Sequence, residues 1–345
     1  MKTAGEYTRH EILSQPETWA ATLKNIQAQA GALFDFCRAG RYESVIFTGC
    51  GSTYYLSLAS AALLQQVTGI PARGLPASEI WLYPRSAYVA DRRTLLVAVS
   101  RSGETTETLQ ACKSFLANAR GSLLTLSCYP GKALATLGRM NLVFPEGREE
   151  SVAQTRAFST LYLATVALAA LWGERRDLMA ELDRLPEAGR RLLTNYDPLA
   201  RDVGQDATLD RFYFLGSGPR YGLACELSLK MKEMSLSHSE PFHFMEFRHG
   251  PKAMVTPGTL IVALVSEASR LYETSVLDDM RTLGAQVLAM GESGTEVAFA
   301  SSVGEAARNV LYLPVAQSLA FYRSLSRGLD PDRLTNLNAV VKLDL

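Results

Sequence analysis

Short apolar runs alternate with amphipathic stretches along most of the chain. Trp19, Leu23, Ile26, Ala30 and Phe34 fall at helical spacing and predict an amphipathic helix over residues 17–38. A strand follows at Ser44-Val45-Ile46-Phe47, then the small-residue stretch Gly49-Cys50-Gly51-Ser52-Thr53, then a helix through Gln66. Residues 94–99, 122–127 and 141–144 predict further strands, with helical segments between them. Continuous apolar strands alternating with helices imply an α/β class: a parallel sheet covered by helices on both faces. From about residue 152 to 208 the pattern turns helical, and 158–172 is strongly apolar.

The opening theme then returns. Phe212-Tyr213-Phe214-Leu215-Gly216-Ser217-Gly218-Pro219 repeats Val45-Ile46-Phe47-Thr48-Gly49-Cys50-Gly51-Ser52 at an offset of 167 residues. The apolar run from Leu260 to Ser266 matches residues 94–100 at an offset of 166, and Glu273-Thr274 matches Glu107-Thr108. Two offsets one residue apart indicate duplication of a whole α/β unit. The copies differ in one turn, where Ser102 and Gly103 become Ala268 and Ser269.

That turn carries chemistry. Ser100-Arg101-Ser102-Gly103-Glu104-Thr105 follows a buried strand and precedes a helix predicted from Thr106 to Ala119. Hydroxyls and backbone N–H groups beside a helix N-terminus suit a phosphate. The stretch lacks the lysine of a nucleotide P-loop, which points to a small phosphorylated metabolite. Only the first copy keeps the full turn, so one phosphate site per chain is expected.

In the second copy, Glu226, Lys230 and Glu233 fall at i, i+4 and i+7 of a helix predicted over 220–236. One reading is a solvated helix face with a Glu–Lys ion pair; the other is a carboxylate held near a lysine and able to move protons. His249 lies in the polar stretch Glu246 to Pro251, closed by Gly-Pro. It reads either as a histidine satisfied by hydrogen bonds or as an acid–base group. His238, His243 and His249 lack metal-ligand spacing, so no metal is expected. No Gly-x-Ser-x-Gly elbow occurs. The two Gly-x-Gly runs meet Tyr54 and Tyr221 where a dinucleotide fingerprint needs its third glycine.

Composition narrows the classes further. The chain has 345 residues, enough for two ordinary domains, and 35 basic residues balance 35 acidic ones. A net charge of zero gives no drive toward nucleic acid or an anionic membrane. The N-terminus has no signal-peptide core, and no apolar run is of membrane-spanning length. Five scattered cysteines without a C-x-x-C read as reduced thiols of a cytoplasmic protein.

Together these stretches resemble the double sugar-isomerase-domain (SIS) family and are similar to the isomerase half of the glucosamine-6-phosphate synthases. The segments that carry the resemblance are Gly49 to Tyr54, Ala77-Ser78-Glu79, Ser100 to Thr105, Val152 to Phe158, and Glu226 through Pro251. The resemblance implies tandem SIS domains, each a flavodoxin-like parallel sheet flanked by helices, with a phosphosugar site between them. The spans it implies are an N-terminal helical segment at 1–40, SIS domain 1 at 41–195, SIS domain 2 at 196–330, and a tail at 331–345 closing over the site. Ser52, Thr53, Ser100, Arg101, Ser102 and Thr105 would hold the phosphate, with Arg101 where the synthases have glutamine. Cys50, Gly51, Val152, Gln154, Asn338 and Ala339 would meet the sugar. Glu233 would shuttle the proton between C1 and C2, Lys230 and Glu226 would organise the site, and His249 would assist ring opening. In the family that histidine comes from a neighbouring subunit, so a homodimer is expected.

Three departures bear on the reaction. The chain starts Met1-Lys2 without an amidotransferase domain or an N-terminal cysteine, so glutamine is not expected as ammonia source. The tail reads Asn336-Leu337-Asn338-Ala339 where the synthases have a Schiff-base lysine, and Lys342 stands three residues further on. Phe247 to Lys252 looks more like the catabolic members. The expected function is a phosphosugar isomerase or deaminase, converting glucosamine 6-phosphate to fructose 6-phosphate and ammonia with no cofactor. A ketose/aldose phosphate isomerase, a fructosamine-6-phosphate deglycase and a non-catalytic sugar-phosphate sensor are the alternatives.

Overall fold

The structure, a computed structural model, describes residues 3–343. Met1 and Lys2, which open the expected N-terminal segment, and the last two residues of the expected tail lie outside them. The first half runs α1 (Glu6–Leu13), α2 (Gln15–Gly40), β1 (Ser44–Gly49), α3 (Ser52–Thr68), β2 (Ala72–Pro76), α4 (Ala77–Leu82), α5 (Pro84–Ala87), β3 (Thr94–Ser100), α6 (Thr106–Asn118), β4 (Gly121–Ser127) and β5 (Met140–Val143). Three helices, α7 (Arg156–Trp172), α8 (Arg176–Leu182) and α9 (Leu185–Gln205), lead into the second half. That half runs β6 (Arg211–Leu215), α10 (Pro219–Ser235), β7 (His238–Phe242), α11 (Phe244–Phe247), β8 (Thr259–Leu264), α12 (Arg270–Thr282), β9 (Gln286–Gly291), β10 (Val297–Ala298), α13 (Glu305–Arg308) and α14 (Leu313–Ser326).

These elements form two compact units, each around its own sheet. One comprises residues 17–149, 156–183 and 338–343 of those described; the other comprises 3–16, 150–155 and 184–337. The first sheet has the order β2-β1-β3-β4-β5, and the second the order β7-β6-β8-β9-β10. All pairings are parallel. Both are the 2-1-3-4-5 order of doubly wound sheets, so the α/β expectation and the duplication hold.

The order explains the sequence pattern. β3 is buried at every residue and β8 likewise, because each has neighbours on both sides and helices on both faces. The sheet edges β2 and β7 carry Pro76 and Pro241, which lack a ladder donor. Apolar-run reasoning therefore passes over these two, and it also misses the inner strand β9, which opens on the polar Gln286, and the two-residue β10. Boundaries also shift by a few residues. The strand expected over 260–266 ends at Leu264, and the helical stretch expected from 152 starts at Arg156.

In the first-sheet unit, Ile46, Leu96, Ala98 and Leu123 pack with Ile80, Cys112 and Phe115 on one face. α7 is buried continuously from Ala157 to Ala170, as a helix apolar all round must be. It is joined to α3 by a hydroxyl pair, Ser60 with Thr165 at 2.7 Å, and to α2 by Trp19, whose Nε1 donates to Ser159 Oγ at 2.9 Å. Trp19 is fully buried. Trp19→Ala is expected to destabilise the fold by about 3–5 kcal/mol, measured by urea unfolding. A loss below 1 kcal/mol, roughly the cost of a tolerated core swap, would contradict this packing.

Candidate active site

Two sets of functional side chains emerge, one in each unit. In the first-sheet unit, β1 and β3 lie side by side in parallel register, with Thr48 opposite Ala98, so both strands exit at one edge. The sheet order reverses between them, which is where ligands bind in open α/β sheets. The exits carry Cys50-Gly51-Ser52-Thr53 and Ser100 to Thr105, and α3 and α6 begin there.

Glycine makes the first exit possible. A Cβ on Gly49 would stand 2.4 Å from Thr53 Oγ1, and Gly51 adopts φ 54°. Thr53 Oγ1 accepts the Cys50 N–H and donates to the Cys50 carbonyl, both at 2.9 Å, which closes the turn. In the second exit, Ser100 Oγ accepts the Gly103 N–H at 3.2 Å and lies 3.4 Å from Thr105 Oγ1. Ser102 Oγ accepts the Glu104 N–H at 3.2 Å, and Gly103 has φ 69°. Cys50 Sγ and Thr108 Oγ1, 3.5 Å apart, link the two exits. Burial raises the Cys50 thiol pKa, so it stands as a neutral thiol. Lys132, 3.0 Å from Glu104, holds that carboxyl below its ordinary range.

Arg101 takes a different course from the hydroxyls. Its guanidinium is buried and donates to Glu149 at 2.9 Å and to the Ala339 carbonyl at 3.2 Å. Glu149 also accepts the Ala157 N–H at the start of α7. Sequence reasoning missed Glu149. The signal available was physical: an arginine next to a buried strand needs a carboxylate, and Glu146, Glu149 and Glu150 were the nearby candidates. The tail lies on the same turn. The Thr106 N–H donates to the Val341 carbonyl at 3.4 Å, the Leu343 N–H donates to Thr106 Oγ1 at 3.0 Å, and Lys342 stands 3.6 Å from Glu104. Asn338 and Ala339 belong to this unit.

Val152 and Gln154 belong to the other unit. Their segment is held by Glu11, fully buried, which accepts the N–H groups of Glu150 and Ser151 at 2.6 and 3.2 Å and bonds the Ser151 hydroxyl. Glu11 was also missed, since its partners Glu150 and Ser151 lie about 140 residues further along the chain. The Gln154 side-chain oxygen is buried without a donor among the described residues.

α10 carries the charged set. Gly218 at φ 58° and Pro219 start the helix, and Leu236 at φ 51° ends it. Lys230 is 1% exposed and Glu226 fully buried, so the solvated-face reading is corrected: these charges sit in the interior. Lys230 Nζ lies 3.4 Å from Glu226 and donates to Glu233. Glu233, with its side chain 20% exposed, is the member of the three that reaches solvent.

His249 sits in the turn after α11, fixed by its N–H to the Glu246 carbonyl at 2.9 Å and by Gly250 at φ 113°. Arg248 anchors the turn to α12 through Asp279 and Ser275, each at 2.9 Å. The His249 ring is exposed and makes no side-chain hydrogen bond among the described residues, which corrects the satisfied-histidine reading. A buried cation shared between the interior Glu226 and the solvent-reaching Glu233 cannot be removed alone. Lys230→Met is expected to cost about 3–5 kcal/mol in urea unfolding, partly recovered in the Glu226→Gln/Lys230→Met pair. Unchanged stability in the single variant would contradict the buried pairing.

The family model for the SIS domain matches residues 41–171 and 208–326, one segment per sheet. Among curated proteins, the chain is 29% identical over 344 residues to a glutamine–fructose-6-phosphate aminotransferase (isomerizing) of Methanothermobacter thermautotrophicus. That match covers 97% of this chain and 57% of the relative. It is 30% identical over 368 residues to the protein of the same name from Symbiobacterium thermophilum, covering 97% and 58%. The chain thus spans a little over half the length of these relatives. Among solved structures, a glucosamine-6-phosphate deaminase of Thermotoga maritima is 28% identical with a TM-score of 0.82, over 98% of this chain and all of that one. A tagatose-6-phosphate ketose/aldose isomerase of Escherichia coli, 24% identical with a TM-score of 0.85 over 96% of each chain, shares the fold.

Proposed function

The chain belongs to the SIS-domain family, and from that premise we propose that it is a phosphosugar isomerase of the aldose–ketose or isomerising-deaminase type. The observation that carries this reading is Glu233: a solvent-reaching carboxylate fixed by an interior lysine that Glu226 also holds. A sensor has no need of such a group, whereas proton transfer requires one. The duplicated fold supports the reading, as does the likeness to the Thermotoga maritima deaminase. No helix among the described residues is long and apolar enough to cross a membrane.

In this account Ser52, Thr53, Ser100, Ser102 and Thr105 hold the phosphate of a hexose 6-phosphate. Binding energy gained there, remote from the reacting carbons, positions C1 and C2. Cys50 and Gly51, the Val152 backbone, Gln154 and the Asn338-Ala339 tail meet the sugar, and the unpartnered Gln154 oxygen suits a sugar hydroxyl. Arg101, paired to Glu149 and bonded to Ala339, orients the tail beside the phosphate. His249 assists ring opening and, being exposed, suits delivery to a second copy in a homodimer.

With glucosamine 6-phosphate the ring opens to the aldehyde, Glu233 takes the proton from C2, and a proton is returned to C1. This leaves an imine at C2. Water adds to that carbon and ammonia leaves, giving fructose 6-phosphate. The same transfer without nitrogen is a plain ketose/aldose isomerisation.

The assay measures ammonia and fructose 6-phosphate from glucosamine 6-phosphate, beside ketose formation from non-aminated hexose phosphates. Ketose without ammonia from any amino sugar would sink the deaminase version. Glu233→Gln is expected to lose about 10²–10⁴-fold in kcat with KM little changed; full turnover would sink the assigned shuttle. Ser102→Ala and Thr105→Val are expected to act mainly on KM, and an unchanged KM in both would remove the phosphate from this turn.

A further inference from the structure

Duplication gives the second sheet the same switch point, between β6 and β8, whose register sets Leu215 opposite Ala263. Its two exits have the backbone of the first pair. Gly218 takes φ 58° and ψ −136°, against 54° and −123° at Gly51. Ser266 Oγ accepts the Ser269 N–H at 2.9 Å, as Ser100 Oγ accepts that of Gly103 at 3.2 Å. A turn of this form beside two helix N-termini, α10 and α12, presents unpaired N–H groups and favours negative charge.

That charge is already in place. Glu305, the first residue of α13, sends its carboxylate into the crevice. Oε2 accepts the N–H groups of Glu267 and Ala268 at 3.2 and 3.3 Å, and Oε1 pairs with Arg220. At the offset of the repeat, Arg220 stands where Thr53 does in the first copy, and Glu267 and Ala268 where Arg101 and Ser102 do. The Arg220 side chain is 8% exposed, and its Nε is buried without an acceptor among the described residues. Two carboxylate oxygens leave that donor over; a phosphate, with more oxygens, has one to spare for it. The short hydroxyl residues Thr105 and Thr106 are replaced by Leu271 and Tyr272, 77% and 64% exposed.

We propose that Glu305 is a resident anion that fills a latent phosphate cradle at the exits of β6 and β8, closing this half of the molecule to phosphorylated ligands. The carboxylate satisfies the turn from within. It also ties the start of α10, through Arg220, to α13, and so holds the helix that carries Glu226, Lys230 and Glu233. The inference uses the second sheet alone, so it stands or falls separately from the function proposed above.

The test counts inorganic phosphate bound per chain by equilibrium dialysis, beside Tm as a function of phosphate. Glu305→Ala and Glu305→Ser, the latter keeping a small polar side chain at the first position of α13, are compared with the wild type. Whatever the wild type binds, each variant is expected to bind about one further phosphate per chain and to gain Tm with phosphate beyond the wild-type response. Adding Arg220→Met should abolish that gain. A variant too unstable to dialyse is scored by Tm alone, where rescue by phosphate supports the inference. Equal phosphate binding and equal Tm response in the wild type and both variants would overturn it, as would a gain that survives Arg220→Met.

Discussion

A parallel sheet whose strand order reverses sends two helices off one edge with their first N–H groups unpaired, and those groups demand negative charge. The rest of this molecule is organised by how that demand is met. At the exits of β1 and β3 serine and threonine hydroxyls and two positive-φ glycines line the turn, and the Val341 carbonyl of the tail accepts the Thr106 N–H. At the exits of β6 and β8 a glutamate and an arginine meet that demand internally. One duplicated scaffold thus carries different side chains at equivalent exits, with the strand order unchanged.

The second organising feature is interior charge. Lys230 is buried within α10, and the carboxylates of Glu226 and Glu233 lie against its ammonium. That arrangement costs stability compared with an apolar interior, and its retention is what chemistry on Glu233 would require. Arg101 and Glu149 form a similar pair in the other unit, with the guanidinium reaching the tail at Ala339.

Much of this was legible in the sequence. β3 and β8 announce themselves because a strand buried on both faces must be apolar throughout. The duplication was visible for the same reason, since the matching runs are the inner strands and the glycine turns after them. β2, β7, β9 and β10 were not legible: proline breaks the run in β2 and β7, β9 opens on the polar Gln286, and β10 has only two residues. Spacing placed Glu226, Lys230 and Glu233 on one helix face but could not say whether that face met water. Burial decided it, and burial depends on residues distant in sequence. Glu11, Glu149 and Glu305 were invisible for that reason too: each serves a segment far from its own.

The proposed reaction is a proton transfer by Glu233 on a phosphorylated hexose. The most direct measurement follows hydrogen at the reacting carbons: glucosamine 6-phosphate and non-aminated hexose 6-phosphates are incubated with the protein in deuterium oxide and read by proton NMR. The account predicts that deuterium enters at C1 or C2 of at least one of them, in step with ketose formation. Absence of exchange from all of them, with the protein folded and the sugars bound, would contradict it.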